Sequence, residues 1–262
     1  MISKEYKAKY FTLPFRVLVK KYPELNSFLI SEKPPKFDLG NPEVLSLLNR
    51  CLFKEVLQLD IDVPEGHLIP ALGIRHVYCE IVNSITQSQD PIVEIGTGAS
   101  AGLAMILAKK YKRKVIATEI NENSVNSANK NIEANNLSEV ITVLHSRGEI
   151  VENLLPKGNY STLLCYPPIY DNDQTKLWKI RGWKGVESEM FGGTIDGMDF
   201  TMKLLDEALN SKKVKIQNIT VLLMNEEQIK QISTRFQIEE KSKIFQINAG
   251  TRKRFVLWIQ NY

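Results

Sequence analysis

The chain has 262 residues, room for one catalytic domain and a smaller module, and 43% hydrophobic with 24% charged residues is the balance of an ordinary globular protein. Three scattered cysteines, Cys51, Cys79 and Cys165, argue against a disulfide framework and a zinc site, and His67, His76 and His145 form no HxxxH or HExxH spacing, so no metal is expected. No apolar run approaches ~18 residues and Met1 is not followed by a signal-type apolar segment, so neither a membrane nor export is expected and the location expected is the cytoplasm.

The first 40 residues carry Lys4, Lys7, Lys9, Arg16, Lys20, Lys21, Lys33 and Lys36 against four acids, which accounts for the whole net charge of +4. A basic arm on a neutral body suits a polyanion such as RNA; a solvated helix surface is the other reading. Short helices broken by Pro23, Pro34–Pro35, Pro42, Pro64 and Pro70 are expected up to about residue 85. From there the pattern alternates. The spacing predicts strands over 91–95, 114–119, 140–145, 160–165 and 218–224, and helices over 100–111, 122–136 and 199–209. A hairpin of 245–247 and 254–260 closes the chain around Asn248-Ala249-Gly250. Strands alternating with helices imply a doubly wound parallel α/β sheet.

Glu94-Ile95-Gly96-Thr97-Gly98-Ala99-Ser100 follows the first of these strands and opens a helix, where glycines let the backbone turn tightly and approach a ligand. Glu119 ends the next strand, 21 residues after Gly98, placed to accept hydrogen bonds from ribose hydroxyls. The glycines read GxGxxxG through Gly102 rather than GxGxxG. S-adenosylmethionine (SAM), which has no pyrophosphate, fits that loop better than a nicotinamide dinucleotide does.

The fourth strand runs into Tyr166-Pro167-Pro168-Ile169-Tyr170. Together with Gly73-Ile74-Arg75, Asn135-Asn136-Leu137-Ser138, Phe191-Gly192-Gly193 and Gly250-Thr251-Arg252-Lys253-Arg254, these runs resemble the RlmF-like and methyltransferase-like RNA adenine-N6 methyltransferases over nearly the whole chain. The resemblance implies a Rossmann-like SAM-dependent core at 86–262 with a loop insertion at 171–199, and a small, mainly helical, RNA-binding module at 1–85. It implies a cofactor set of Arg75, Glu94, Gly96, Thr97, Gly98, Ser100, Glu119, Ile120 and Ser146, with Arg75 on the SAM carboxylate. It also implies a catalytic set of Tyr166, Pro167, Pro168, Ile169 and Tyr170.

In that family the catalytic run reads Asn-Pro-Pro-aromatic. An oxygen at its first position and the first proline carbonyl accept the two N–H bonds of an adenine amine whose lone pair is delocalised into the ring, and the aromatic residue stacks on the flipped base. Here the first position is Tyr166 and the last is Ile169. Tyr166 offers one hydroxyl, farther from the backbone than an amide oxygen. Tyr170 is expected to stack instead, and Asp171, Asn172 or Asp173 to supply an acceptor. Three outcomes stay open: an altered adenine grip, a different target atom or a non-RNA substrate, and an RNA-binding homologue without catalysis. The insertion interleaves Lys176, Lys179, Arg181 and Lys184 with Trp178 and Trp183, suited to clamping single-stranded RNA or to packing as a lid.

Overall fold

Short apolar runs after residue 91 are buried on both faces, which only a sheet covered by helices on both sides allows. The computed structural model describes residues 2–8, 15–171, 173–174, 185–193, 197–250 and 252–261. Its strands and helices are β1 (Ile2–Lys7), α1 (Phe15–Lys21), β2 (Leu29–Glu32), β3 (Pro35–Phe37), α2 (Pro42–Leu57), α3 (Leu72–Ile85), β4 (Ile92–Ile95), α4 (Gly102–Tyr111) and β5 (Val115–Glu119). They continue with α5 (Glu122–Ala134), β6 (Ile141–His145), β7 (Gly158–Cys165), α6 (Glu187–Met190), α7 (Asp199–Asn210), β8 (Val214–Leu223), α8 (Glu226–Phe236), β9 (Ser242–Ala249) and β10 (Arg252–Gln260).

Eight strands form one sheet in the order β1-β9-β10-β8-β7-β4-β5-β6. Strands β4 to β8 pair in parallel, and β10 inserts antiparallel between β8 and β9. This is the expected α/β class. Alternation along each strand divides the core. Ile92, Ala117, Leu164 and Val256 face α3 and α4, while Val93, Ile95, Leu163 and Leu257 face the layer of α7 and α8. The chain leaves β4 toward β5 on one side, and β7 lies on the other. The gap between the ends of β4 and β7 is therefore the switch point at which an open α/β sheet binds ligands.

The start of the chain departs from the helical reading. Ile2–Lys7 is a strand in the large sheet, parallel to β9, and β2 and β3 make a small hairpin of their own. The rest of the N-terminal part packs through Leu18, Leu25, Phe37, Val44, Leu48 and Cys51. The opposite side of α2 sends Phe53 into the main core, and α3 forms a layer of the sheet. Helix α8 was not among the expected elements. Lys9, Asn172, Lys176, Trp178, Lys179, Arg181, Trp183 and Lys184 lie outside the described residues.

Candidate functional site

The turn after β4 is held open by its own backbone. Gly96 and Gly98 take φ of +74° and +66°, a region that a Cβ penalises. The N–H groups of Gly96 and Thr97 donate to the Thr118 carbonyl at 3.0 and 2.9 Å, tying the turn to β5. Glu94 lies beneath it with 1% exposure. Its Oε2 accepts the Thr97 hydroxyl at 2.8 Å and the Ala104 N–H at 2.9 Å, joining strand, turn and the first turn of α4. Burial pushes the Glu94 carboxyl up to about 7, against the pull of those two bonds and of Arg75.

Glu119 ends β5 as expected. Its Oε2 accepts the Gly98 N–H at 2.8 Å, and its Oε1 accepts those of Ile120 and Asn121, both at 2.9 Å. A carboxylate offers about four acceptor directions, so one remains for a hydroxyl. Burial raises its pKa too.

Arg75, on α3, extends over Tyr166 with its guanidinium carbon 5.3 Å from the ring centroid. Among the described residues nothing hydrogen-bonds to this guanidinium, although Glu94 and Glu189 are near enough to favour its charge. Burial acts the other way and lowers its pKa. Tyr166 is also approached at its hydroxyl by Arg254 Nε, at 3.4 Å. Its backbone position is set from below by Tyr78, whose buried hydroxyl accepts the Cys165 N–H at 3.2 Å and lies 2.9 Å from Thr220 Oγ1.

These groups border one cleft of about 320 Å³. It brings together Arg75, Glu94, Gly96, Thr97, Gly98, Ser100, Glu119, Ile120 and Ser146 with Tyr166 and Pro168. The other three catalytic expectations fall outside it. Pro167 and Ile169 are buried, Ile169 to 8% exposure, because the chain turns inward after Pro168. Tyr170 is engaged by its backbone in a parallel bridge to Phe191 and does not line the cleft. Asp171 and Asp173 do not border the cleft either.

Further lining residues were missed from sequence: Leu68, Ser188, Glu189, Phe191, Phe200 and Lys203. The glycine pair Gly192–Gly193 was the available signal. A Cβ on Gly192 would lie 2.2 Å from the Gly197 carbonyl oxygen and 2.3 Å from that of Pro168, so this segment lies directly on the Pro-Pro run. Among the described residues there is no cluster of His, Cys, Asp or Glu fit for a metal, and no helix long and apolar enough to cross a membrane. Of the N-terminal cations, Lys21 pairs with Glu55 at 2.7 Å.

A family model described as RNA methyltransferase matches residues 3–259. The chain belongs to that family. It is 25% identical to the U6 small nuclear RNA (adenine-(43)-N(6))-methyltransferase of Caenorhabditis elegans, over 93% of this chain and 58% of that protein. The chain therefore spans little more than half the length of that relative. It is 24% identical to the ribosomal RNA large subunit methyltransferase F of Christiangramia forsetii, over 93% of this chain and 95% of the relative. The fold is shared with the catalytic domain of human METTL16, solved with a MAT2A 3′UTR hairpin, at a TM-score of 0.85 and 24% identity over 96% of this chain and 92% of that one.

Proposed function

We propose that this protein transfers a methyl group from SAM to the N6 of an adenine in RNA. The family supports the reaction class, and the adenine-N6 activity of the nematode relative supports the target atom. One observation carries the reading: the Arg75 guanidinium, which among the described residues has no hydrogen-bond partner, shares a cleft with the Gly96–Gly98 turn and Glu119. A half-buried cation without a hydrogen-bonded anion is costly, and the carboxylate of a methionine moiety offsets that cost.

The residues present fit such a cofactor. Arg75 forks onto the carboxylate, the free acceptor direction of Glu119 takes a ribose hydroxyl, and the turn without side chains at Gly96 and Gly98 admits the adenosyl group. When bound, SAM supplies an electrophilic methyl group on a sulfonium. Tyr166 positions the acceptor. Its hydroxyl takes the Arg254 N–H and keeps one lone pair for an N–H of the adenine amine. This is a looser grip than an amide oxygen gives, so slow transfer is expected. The basic residues of the N-terminal part contact the RNA backbone.

The test is incubation with labelled SAM and total cellular RNA, followed by nucleoside analysis. Label in N6-methyladenosine is the expected result. Binding of SAM by calorimetry with no label in RNA would favour an RNA-binding homologue without catalysis. In that case Tyr166→Asn should restore transfer.

A further inference from the structure

The catalytic run of this chain has no aromatic ring free to stack a base in the cleft. Ile169 is buried, Tyr170 does not border the cleft, and Tyr166 is occupied on its ring face by Arg75. Two other aromatic rings stand there, Phe191 and Phe200. Both are half-buried, and among the described residues neither is paired with another ring or cation. Phe200 belongs to α7 and packs on the core below that helix. Phe191 lies just past α6 and is held by an unusual amount of backbone.

The Phe191 N–H donates to the Glu187 carbonyl at 2.8 Å. On either side of it, the Tyr170 N–H donates to the Met190 carbonyl at 3.0 Å and the Gly192 N–H to the Tyr170 carbonyl at 2.9 Å. The Phe200 N–H donates to the Gly192 carbonyl at 2.8 Å. Gly192 lies against the Pro168 carbonyl so closely that a Cβ would sit 2.3 Å from it, and a Cβ on Gly197 would sit 2.2 Å from the Ile169 carbonyl. These contacts are backbone against backbone and do not yield to a rotamer change. The backbone of Phe191 is therefore fixed relative to Pro168 almost as firmly as a residue of the run itself.

We infer that Phe191 supplies the face on which the acceptor base stacks, in the cleft that Tyr166 and Pro168 also line, in place of an aromatic residue at position 169. A half-buried ring that lines a cleft of this kind is matched by a flat, unsaturated ligand. Stacking tolerates any base, so Phe191 positions the acceptor while the Tyr166 hydroxyl selects the amine. The inference rests on the reading of the acceptor as a base in RNA. It adds which element of the chain holds that base, an element about twenty residues beyond the Pro-Pro run.

The test uses Phe191→Leu, which keeps apolar volume and removes the ring, and Phe191→Tyr, which keeps the ring. Both are compared with the parent protein for SAM affinity by calorimetry and for transfer of labelled methyl into total RNA across RNA concentrations. Phe191→Leu should raise the half-saturating RNA concentration by about tenfold or more while SAM affinity holds, and Phe191→Tyr should stay near the parent. Equal RNA dependence in the Leu variant and the parent overturns the stacking role and leaves the proposed reaction standing. Weakened SAM binding in the Leu variant, or equal loss in both variants, also overturns it, since either marks a packing role. A parent that binds SAM and labels no RNA overturns the proposed reaction itself.

Discussion

The Glu189 carboxylate accepts the backbone N–H of Leu68 at 2.8 Å, across 121 residues of sequence. The same oxygen takes the Val186 N–H at 3.1 Å, and the other oxygen lies 3.3 Å from His67 Nδ1. With its side chain only 7% exposed, Glu189 fastens the segment carrying Phe191 to the loop before α3 and closes one wall of the cleft beside Gly98. Glu189→Ala leaves these donors without their acceptor, at a cost of about 1–3 kcal/mol. The expected outcome is a lower melting temperature together with faster release of SAM, measured by stopped flow. Glu189→Gln, which keeps one oxygen acceptor, should fall between. Unchanged release in the Ala variant would show that the wall stays closed without this latch.

Arg75 makes the opposite kind of contribution. It is desolvated and has no hydrogen-bond partner among the described residues, so it costs stability until an anion arrives. Arg75→Met should melt at or above the parent temperature without cofactor, yet bind SAM roughly thirtyfold more weakly, the loss of about 2 kcal/mol in charge-assisted hydrogen bonds. Arg75→Lys keeps the charge but not the fork and should recover only part of the affinity. A melting temperature that drops in the Met variant would place Arg75 in the structural frame instead.

Glu94 gives the pH dependence. Burial lifts its folded-state pKa from 4.5 to about 7. Because the folded value is the higher one, the protonated group's contribution to stability is complete below 4.5 and is lost as pH rises through about 7. Between those values the parent should therefore lose stability steadily, and Glu94→Gln, which cannot titrate, should lose less. Binding of a cationic methionine ammonium favours the charged carboxylate, so affinity for SAM should climb as pH rises toward 7 and flatten above it, with a slope of at most about tenfold per unit. Calorimetric titrations from pH 5.5 to 8.5 check both arms. A Gln variant with the parent's slope would assign the titration to another group.

The ligand-facing half of the cleft was legible because it is local. The run from Glu94 to Ser100 carries its own turn, its glycines take the φ that only glycine adopts easily, and Glu119 falls one βα unit later. Beyond Tyr166 and Pro168 the acceptor side was not, because it depends on contact at a distance. Nothing in Val186–Phe191 says that Glu189 meets Leu68, and Phe191 reaches the cleft only because Gly192 and Gly197 lie on the backbone of Pro168 and Ile169. The buried fate of Ile169 was equally hidden, since a motif position does not tell which way the chain turns after it. Strand β1 escaped for a different reason. Ile2 and Tyr6 are its only large apolar residues, most of its side chains are exposed, and its partner β9 is about 240 residues away. Helix α8 is readable in principle from the Asn225 cap and the spacing of Ile229, Ile232 and Phe236.

Thr201 offers a test of the packing behind the cleft. It sits in the first turns of α7, fully buried against the sheet, and among the described residues its Oγ1 is the one buried side-chain oxygen or nitrogen with no hydrogen-bond partner. A buried hydroxyl without a partner loses its water and gains nothing in return, and an apolar group of the same shape avoids that loss. Thr201→Val should therefore stabilise the protein by about 1 kcal/mol, a rise of roughly 2–4 °C in melting temperature. Thr201→Ser keeps the hydroxyl and removes the methyl group, so it should melt below the parent. Because α7 also carries Phe200 and Lys203 into the cleft, SAM affinity is the control: it should be unchanged in the Val variant if the gain comes from the core alone. A Val variant that melts lower than the parent would mean that a water reaches Thr201 and that the helix is packed less tightly there than the burial of its side chains indicates.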